Sequence, residues 1–193
     1  MGYQMTNATW EEVDTIAPRG YHDTTVWDDI ILLPDTIQGG TARPDKITLV
    51  GNIDAYGFNG NSTTEEMSSS FEMPHTYKEG TDLRAHIHWC PSDTDSGSVK
   101  WQLEVSTAGV GDAFPSVTTV TATQASDEVD RAHQVIEFTI IDGTGIKIGD
   151  ITGFRLFRNP TDGADTYESD AIFLSLGFHY EIDGDGSRQV FVK

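Results

Sequence analysis

The feature that most constrains this chain is a two-residue alternation of apolar and polar side chains that recurs over its length with no competing helical period. In Leu83–Cys90, Leu83, Ala85, Ile87 and Trp89 fall on one side of an extended strand, and Arg84, His86, His88 and Cys90 on the other. Val99, Trp101, Leu103 and Val105 alternate in the same way with Lys100, Gln102, Glu104 and Ser106, and Met67, Ser69, Phe71 and Met73 repeat the pattern upstream. Ser116–Thr123, Gln134–Ile140, Gly153–Phe157 and Gln189–Val192 read as further strands. In Ala171–Ile182 the residues Ile172, Leu174, Leu176, Phe178 and Tyr180 are expected to share one face. Each such strand has one side that must leave water, so the economical solution is two sheets packed apolar face to apolar face.

The connections agree. Asp142-Gly-Thr-Gly145 and Asn159-Pro-Thr-Asp-Gly163 carry turn residues, and the segment Pro91–Ser98 is short enough to predict a hairpin between Leu83–Cys90 and Val99–Ser106. Ala125–Arg131 has room for about two helical turns at most. The expected fold is all-β, an antiparallel β-sandwich of jelly-roll type. Before Lys46 the pattern breaks down: Trp10, Trp27 and Ile30-Ile31-Leu32-Leu33 stand among Pro18, Pro34, Gly39-Gly40 and Pro44. Residues 1–45 are therefore read as an extended N-terminal arm and 46–193 as the sandwich domain. An arm with large apolar anchors needs a surface, either its own domain or a neighbour. Trp10, Trp27, Ile30, Ile31 and Leu32 are the residues expected to bind a partner.

Charge narrows the partners. Twelve Lys and Arg against thirty-one Asp and Glu leave a formal charge of −19, spread along the chain, and a polyanion is repelled by such a surface. No nucleic-acid partner is expected. Cys90 is the single cysteine, so no intrachain disulfide can form. The opening MGYQMTNATWEEVD has neither a basic start nor an apolar run, and no stretch is long enough to span a bilayer. The expectation is a protein made in the cytoplasm with no membrane partner.

His86 and His88 project from one face of a strand, the spacing at which two imidazoles can share an ion. With Gly80 five residues ahead of His86-Ile-His88, the segment resembles the opening of the cupin metal motif; Asp93 stands where that family has Glu, and His179 is placed as the distant ligand. The glycine after the acid and the Pro-x-Gly of the second cupin motif are missing. A cupin metal also sits inside the barrel, and here Leu83, Ala85, Ile87 and Trp89 claim the inside. His86, His88 and His179 are thus the metal candidates, with the expectation that none holds an ion and that no cofactor is bound. Arg84, His86, His88 and His179 are instead expected on a polar face at a subunit interface. Asp93-Thr-Asp95-Ser-Gly97 and Asp183-Gly-Asp185-Gly-Ser187 have calcium-like spacing but lack the closing Glu. Cys90 has no base partner in sequence, and there is neither a Gly-x-Ser-x-Gly elbow nor a phosphate-binding glycine loop. Neighbouring acids such as Asp28-Asp29 and Glu65-Glu66 face opposite sides of a strand. No catalytic residue is expected, and the chain is read as a non-enzyme.

Several segments in combination, Tyr21-His-Asp-Thr-Thr-Val-Trp-Asp-Asp29, Met73-Pro-His-Thr-Tyr-Lys-Glu-Gly80 through His86-Ile-His-Trp89, Arg155-Leu-Phe-Arg158, Asp165-Thr-Tyr167 and Phe178-His-Tyr180 with Gly186-Ser-Arg188, resemble a family of uncharacterised proteins of tailed-bacteriophage and prophage genomes. The likeness covers most of the chain and brings no established active site. It implies a virion structural protein, located in the particle after synthesis in the host cytoplasm. In that setting the expected role is a capsid decoration or cement protein, a homotrimer docked on the major capsid protein or another virion protein. The alternatives are a tail or fibre component that recognises host-surface glycan through an exposed Trp or Tyr, and a cupin-like metal-binding protein.

Overall fold

The computed structural model describes residues 25–40, 42–61 and 65–190, together with the backbone of 2–6 and 9–13. Its strands in chain order are β1 (Gly2–Thr6), β2 (Thr9–Val13), β3 (Val26–Leu32), β4 (Gln38–Gly39), β5 (Asp45–Val50), β6 (Ile53–Phe58) and β7 (Glu66–Glu72). They continue with β8 (Arg84–Pro91), β9 (Ser98–Ala108), β10 (Thr118–Ala125), β11 (Gln134–Glu137), β12 (Ile151–Arg158) and β13 (Ala171–Ile182). Among the described residues β1 pairs with β2 alone. A single 3₁₀ turn, Pro34–Thr36, separates β3 from β4. Among the described residues no helix is long and apolar enough to cross a membrane.

The last eight strands form a nested set. β6 pairs with β13, β7 with β12, β8 with β11 and β9 with β10, all antiparallel, as if one long hairpin had been rolled up. Rolling brings β13 beside β8 and β12 beside β9, giving one sheet ordered β11-β8-β13-β6-β5 and a second ordered β10-β9-β12-β7-β4. This is the jelly-roll arrangement of an antiparallel β-sandwich. Aromatic pairs bridge the layers: Phe71 meets Phe178 at 4.7 Å between ring centroids, Phe58 meets Trp101 at 5.2 Å, and Trp89 meets Trp101 at 6.3 Å.

The inner faces follow the alternation of the sequence. Leu83, Ala85, Ile87 and Trp89 are fully buried, as are Val99, Trp101 and Leu103. The pairing differs from expectation. β8 and β9 are not a hairpin: residues 92–97 carry the chain from one sheet to the other, so the two patterned strands face each other across the core. Alternation fixes which face is buried but not which strand lies alongside.

A second difference lies in β13, whose register against β8 shifts between Phe173 and Ser175. The extra residue reverses the phase. Ala171 and Phe173 point into the main core with Leu176, Phe178 and Tyr180, whereas Ile172 and Leu174 turn to the outer face, where they join Ala55, Cys90, Ile47 and Leu49 in a small separate cluster. Ile172 and Leu174 therefore do not share a face with Leu176.

Residues 26–39, read from sequence as part of the arm, belong to the sandwich. β3 lies antiparallel along the later half of β13, from Leu32 opposite Leu176 to Val26 opposite Ile182, and β4 adds to β7. Ile30 and Leu32 point inward and pack on the core. The expected strand over Gln189–Val192 is absent at 189–190, which form a bend, and residues 191–193 lie outside the described residues.

Candidate functional site

Strand register, more than local sequence, gathers the polar groups on the outer face of the β13-containing sheet. Asp29 of β3 lies opposite His179 of β13, which lies opposite Arg84 of β8. One step along the sheet, His86 lies opposite Gly177 and His88 opposite Ser175. Because Gly177 has no side chain, the His86 ring extends over it. A β-carbon at 177 would stand 2.5 Å from His86 Nε2 and 2.9 Å from Asp29 Oδ1, closer than packed atoms tolerate.

The result is a row of four imidazoles. His179 stacks on His86 at 4.3 Å between centroids, His86 meets His88 edge to face at 5.1 Å, and His88 meets His133 at 4.9 Å. His88 Nδ1 and His133 Nε2 share a hydrogen bond of 2.7 Å, one ring donating and the other accepting. Asp29 Oδ2 stands 3.6 Å from His86 Nε2 and 3.7 Å from His179 Nε2. Burial holds the His86 imidazole below the ordinary histidine range, against the pull of Asp29 and with a further downward push from His179. Burial also lowers His88, reinforced by His86 and His133. Both rings are therefore neutral at pH 7 and present lone pairs.

The row is flanked by apolar and aromatic surface. The Arg84 guanidinium lies 5.6 Å over the Trp27 ring and 3.6 Å from the Glu137 carboxylate. Trp27 and Ile31 share the outward side of β3 with Asp29, and both are exposed, as is Leu33 just beyond the strand. Asp28 faces the other way, accepting a hydrogen bond from the Tyr180 hydroxyl at 2.9 Å.

Each residue singled out from sequence can now be placed. Arg84, His86, His88 and His179 lie on one outer face: Arg84 sits by Trp27 and Glu137, His88 bonds His133, and His86 and His179 stack on each other beside Asp29. Trp27 and Ile31 are exposed beside them, whereas Ile30 and Leu32, grouped with them as anchors, are turned inward; the side chain of Trp10 lies outside the described residues. The cupin ligand set is not assembled: the histidines are on the outside of the sheet, and Asp93 is held in a turn, accepting from the Asp95 N–H and the Tyr167 hydroxyl at 2.9 Å each. From sequence Asp29 is read only as a neighbour of Asp28, and His133 is not singled out. Nothing local marks them, because only the β3–β13 register and the course of the loop before β11 bring them to the histidines.

Cys90 is buried on the same outer face opposite Ile172 of the neighbouring strand, and burial pushes its thiol up to about 11. The thiolate is the reactive form. We expect no labelling of the native protein by a thiol-specific disulfide reagent at pH 8 and one reactive thiol per chain in denaturant; rapid native labelling would contradict the burial. A cleft of about 800 Å³ lies between the β9–β10 loop and residues 144–150. Two of its carboxylates serve the backbone: Glu79 accepts from the Ile148 N–H and Asp150 from the Lys147 N–H.

No protein-family model and no curated protein sequence matches this chain. Among solved structures it is similar to the CBM36-1 domain of a multidomain xylanase from the hindgut metagenome of Trinervitermes trinervoides, with 12% identity over 78% of this chain and 96% of that one and a TM-score of 0.41. It is similar to CBM35 of Cellvibrio japonicus Abf62 at 11% identity over 83% of this chain and 100% of that one, TM-score 0.43. A chain of the infectious bursal disease virus Gx strain structure gives 9% identity over 97% of this chain and 37% of that one, TM-score 0.41. At these values the comparisons carry no argument for a shared ligand or activity; the fold is a jelly-roll β-sandwich on the evidence of its own strand pairing.

Proposed function

We propose that this chain is a non-enzymatic structural protein of a tailed-phage virion, a capsid decoration or cement protein that docks as a homotrimer on the major capsid protein or another protein of the assembled shell. The observation that carries this reading is the outer edge formed by β3. Trp27, Ile31 and Leu33 are 41%, 62% and 55% exposed there, and among the described residues β3 has β13 as its sole strand partner. An unpaired edge bearing large apolar side chains is a surface suited to another protein. A net charge of −19 supports the same reading, since an acidic body is repelled by packaged nucleic acid and suits the outside of a shell. The resemblance to phage proteins adds to it.

The mechanism is mass action: a protein that binds the closed shell and not its dissociated parts shifts the equilibrium toward the shell. We expect the double substitution Trp27→Ser and Ile31→Ser to weaken co-sedimentation with shells by about 100-fold or more, as hot-spot truncations do. Melting temperature and circular dichroism should stay those of the parent. Unchanged shell binding by that variant, or a stable monomer at high concentration in solution, would overturn the proposal. Saturable binding on a glycan array without shell binding would replace it by host-surface recognition.

A further inference from the structure

We propose that Asp29, His86 and His179 form a site for one divalent transition-metal ion of the zinc class on the outer face of the sheet. The inference does not depend on the virion reading.

The first argument is geometric. The three groups come from three adjacent strands, β3, β8 and β13, and one ligating atom from each lies within 4.8 Å of the other two. The separations from Asp29 Oδ2, 3.6 Å to His86 and 3.7 Å to His179, are too long for an N–H···O hydrogen bond. They lie a few tenths of an ångström above the edge of a tetrahedron, about 3.3–3.4 Å, that zinc bonds of about 2.0–2.1 Å would draw. The third separation, between the imidazoles, is within 4.8 Å, and the two rings must turn out of their stack for both lone pairs to converge on one ion.

The second argument is an unmet need. His86 is 5% exposed with its Nε2 beside the carboxylate, and the Asp29 Oδ1 is buried without a hydrogen-bond partner. Folded proteins rarely leave such atoms unpartnered, and an ion or ordered water is the common explanation. An ion between the rings would engage the carboxylate directly, with Oδ1 available as its second oxygen. The space exists because position 177 is glycine: a β-carbon there would strike both His86 and Asp29.

The donor set selects the ion. Two imidazoles and one carboxylate suit first-row transition metals, whereas calcium and magnesium require oxygen ligands throughout. Three protein ligands leave at least one position open toward solvent on the side of the half-exposed His179. The His88–His133 pair, with His88 edge to face against His86, forms the wall on the other side. An ion here would fasten β3, joined to the body along one edge, to both β13 and β8.

The test uses the full chain, stripped with a chelator and titrated with zinc chloride by calorimetry and by thermal melting. One zinc per chain is expected, with a rise in melting temperature of about 5–10 °C when free zinc is 100-fold above Kd. Asp29→Asn, isosteric, and His179→Ala, at a half-exposed position, should each weaken binding at least about tenfold, and His133→Ala should leave it nearly unchanged. Nitrogen spectra of the wild-type imidazoles give a readout without mutation: coordination shifts should appear at His86 and His179. Absence of stoichiometric uptake, binding that survives both Asp29→Asn and His179→Ala, loss of binding in His133→Ala, or coordination shifts confined to other histidines would each overturn the assignment.

Discussion

Replacing Arg158 with alanine is expected to destabilise the protein by about 3–5 kcal/mol, because the change strands a buried charge. For a domain of this length that lowers the melting temperature by roughly 6–20 °C. Arg158 ends β12 and is completely buried, as is the Asp165 side chain it pairs with in two parallel bonds of 3.0 and 2.7 Å. Its remaining donors reach the carbonyls of Phe58 at 3.0 Å, Ser169 at 2.7 Å and Tyr167. All five guanidinium N–H groups are thereby engaged. One side chain ties the end of β6, the end of β12 and the loop into β13, the outermost layers of the rolled hairpin. Truncation leaves three carbonyls and a carboxylate short of donors, with only the Lys100 N–H, at 2.9 Å, still on Asp165. Lysine keeps the charge but has three donors on one nitrogen and cannot reproduce the fork, so Arg158→Lys should recover only part of the loss. Arg155 is the control: it pairs with Glu104 and Glu66 at a half-exposed position, where ion pairs contribute about 0–1 kcal/mol. Thermal melts of Arg158→Ala and Arg155→Ala that coincide would show that the buried guanidinium is not the pin described here.

How far the sequence carries this structure depends on what each residue's environment requires. The inner faces of β8 and β9 are legible because a buried face and a wet face differ in residue type at every second position. The span of β13, Ala171–Ile182, is legible for the same reason, but its bulge is not: Ile172 and Leu174 are apolar on an outer face that happens to carry its own small cluster, so the pattern runs through the phase change without a mark. Arg158 and Asp165 stand out in the sequence only as parts of segments that resemble phage proteins; nothing in a seven-residue spacing says that they will meet in the interior. The outer-face histidines were visible as a set, since His86 and His88 are two apart. Asp29, which stands against His86 and His179, is not, because it lies 57 and 150 positions away from them and is delivered by the β3–β13 register. Long-range register is the quantity that a local pattern cannot encode, and it decides both the sheet order and the candidate site.

Trp101 gives the sharpest test of the layer assignment. If β8 and β9 lay side by side in one sheet, as loop length alone suggests, Trp89 and Trp101 would be neighbours on a single surface. In the sandwich they belong to opposite layers, with Trp101 fully buried between Phe58 at 5.2 Å and Trp89 at 6.3 Å. Trp101→Ala is then expected to cost about 3–5 kcal/mol, combining lost burial with a cavity at the centre of the core. The two indoles differ in their polar ends. Trp89 Nε1 donates to Gln124 Oε1 at 2.7 Å, whereas Trp101 Nε1 is buried with no acceptor. Converting each to phenylalanine removes similar volume but different hydrogen bonds: Trp101→Phe discards an N–H that was already unpaired, and Trp89→Phe deprives Gln124 of its donor. Gln124 is half-buried and water can partly replace its lost donor, so the cost falls at the low end of the about 1–3 kcal/mol for an unsatisfied group, and Trp89→Phe should be the more damaging by about 1 kcal/mol. Chemical denaturation of the two phenylalanine variants measures the difference directly. Equal losses, or a greater loss for Trp101→Phe, would mean that the indole at 101 has found a partner and that the packing between the layers is not as described.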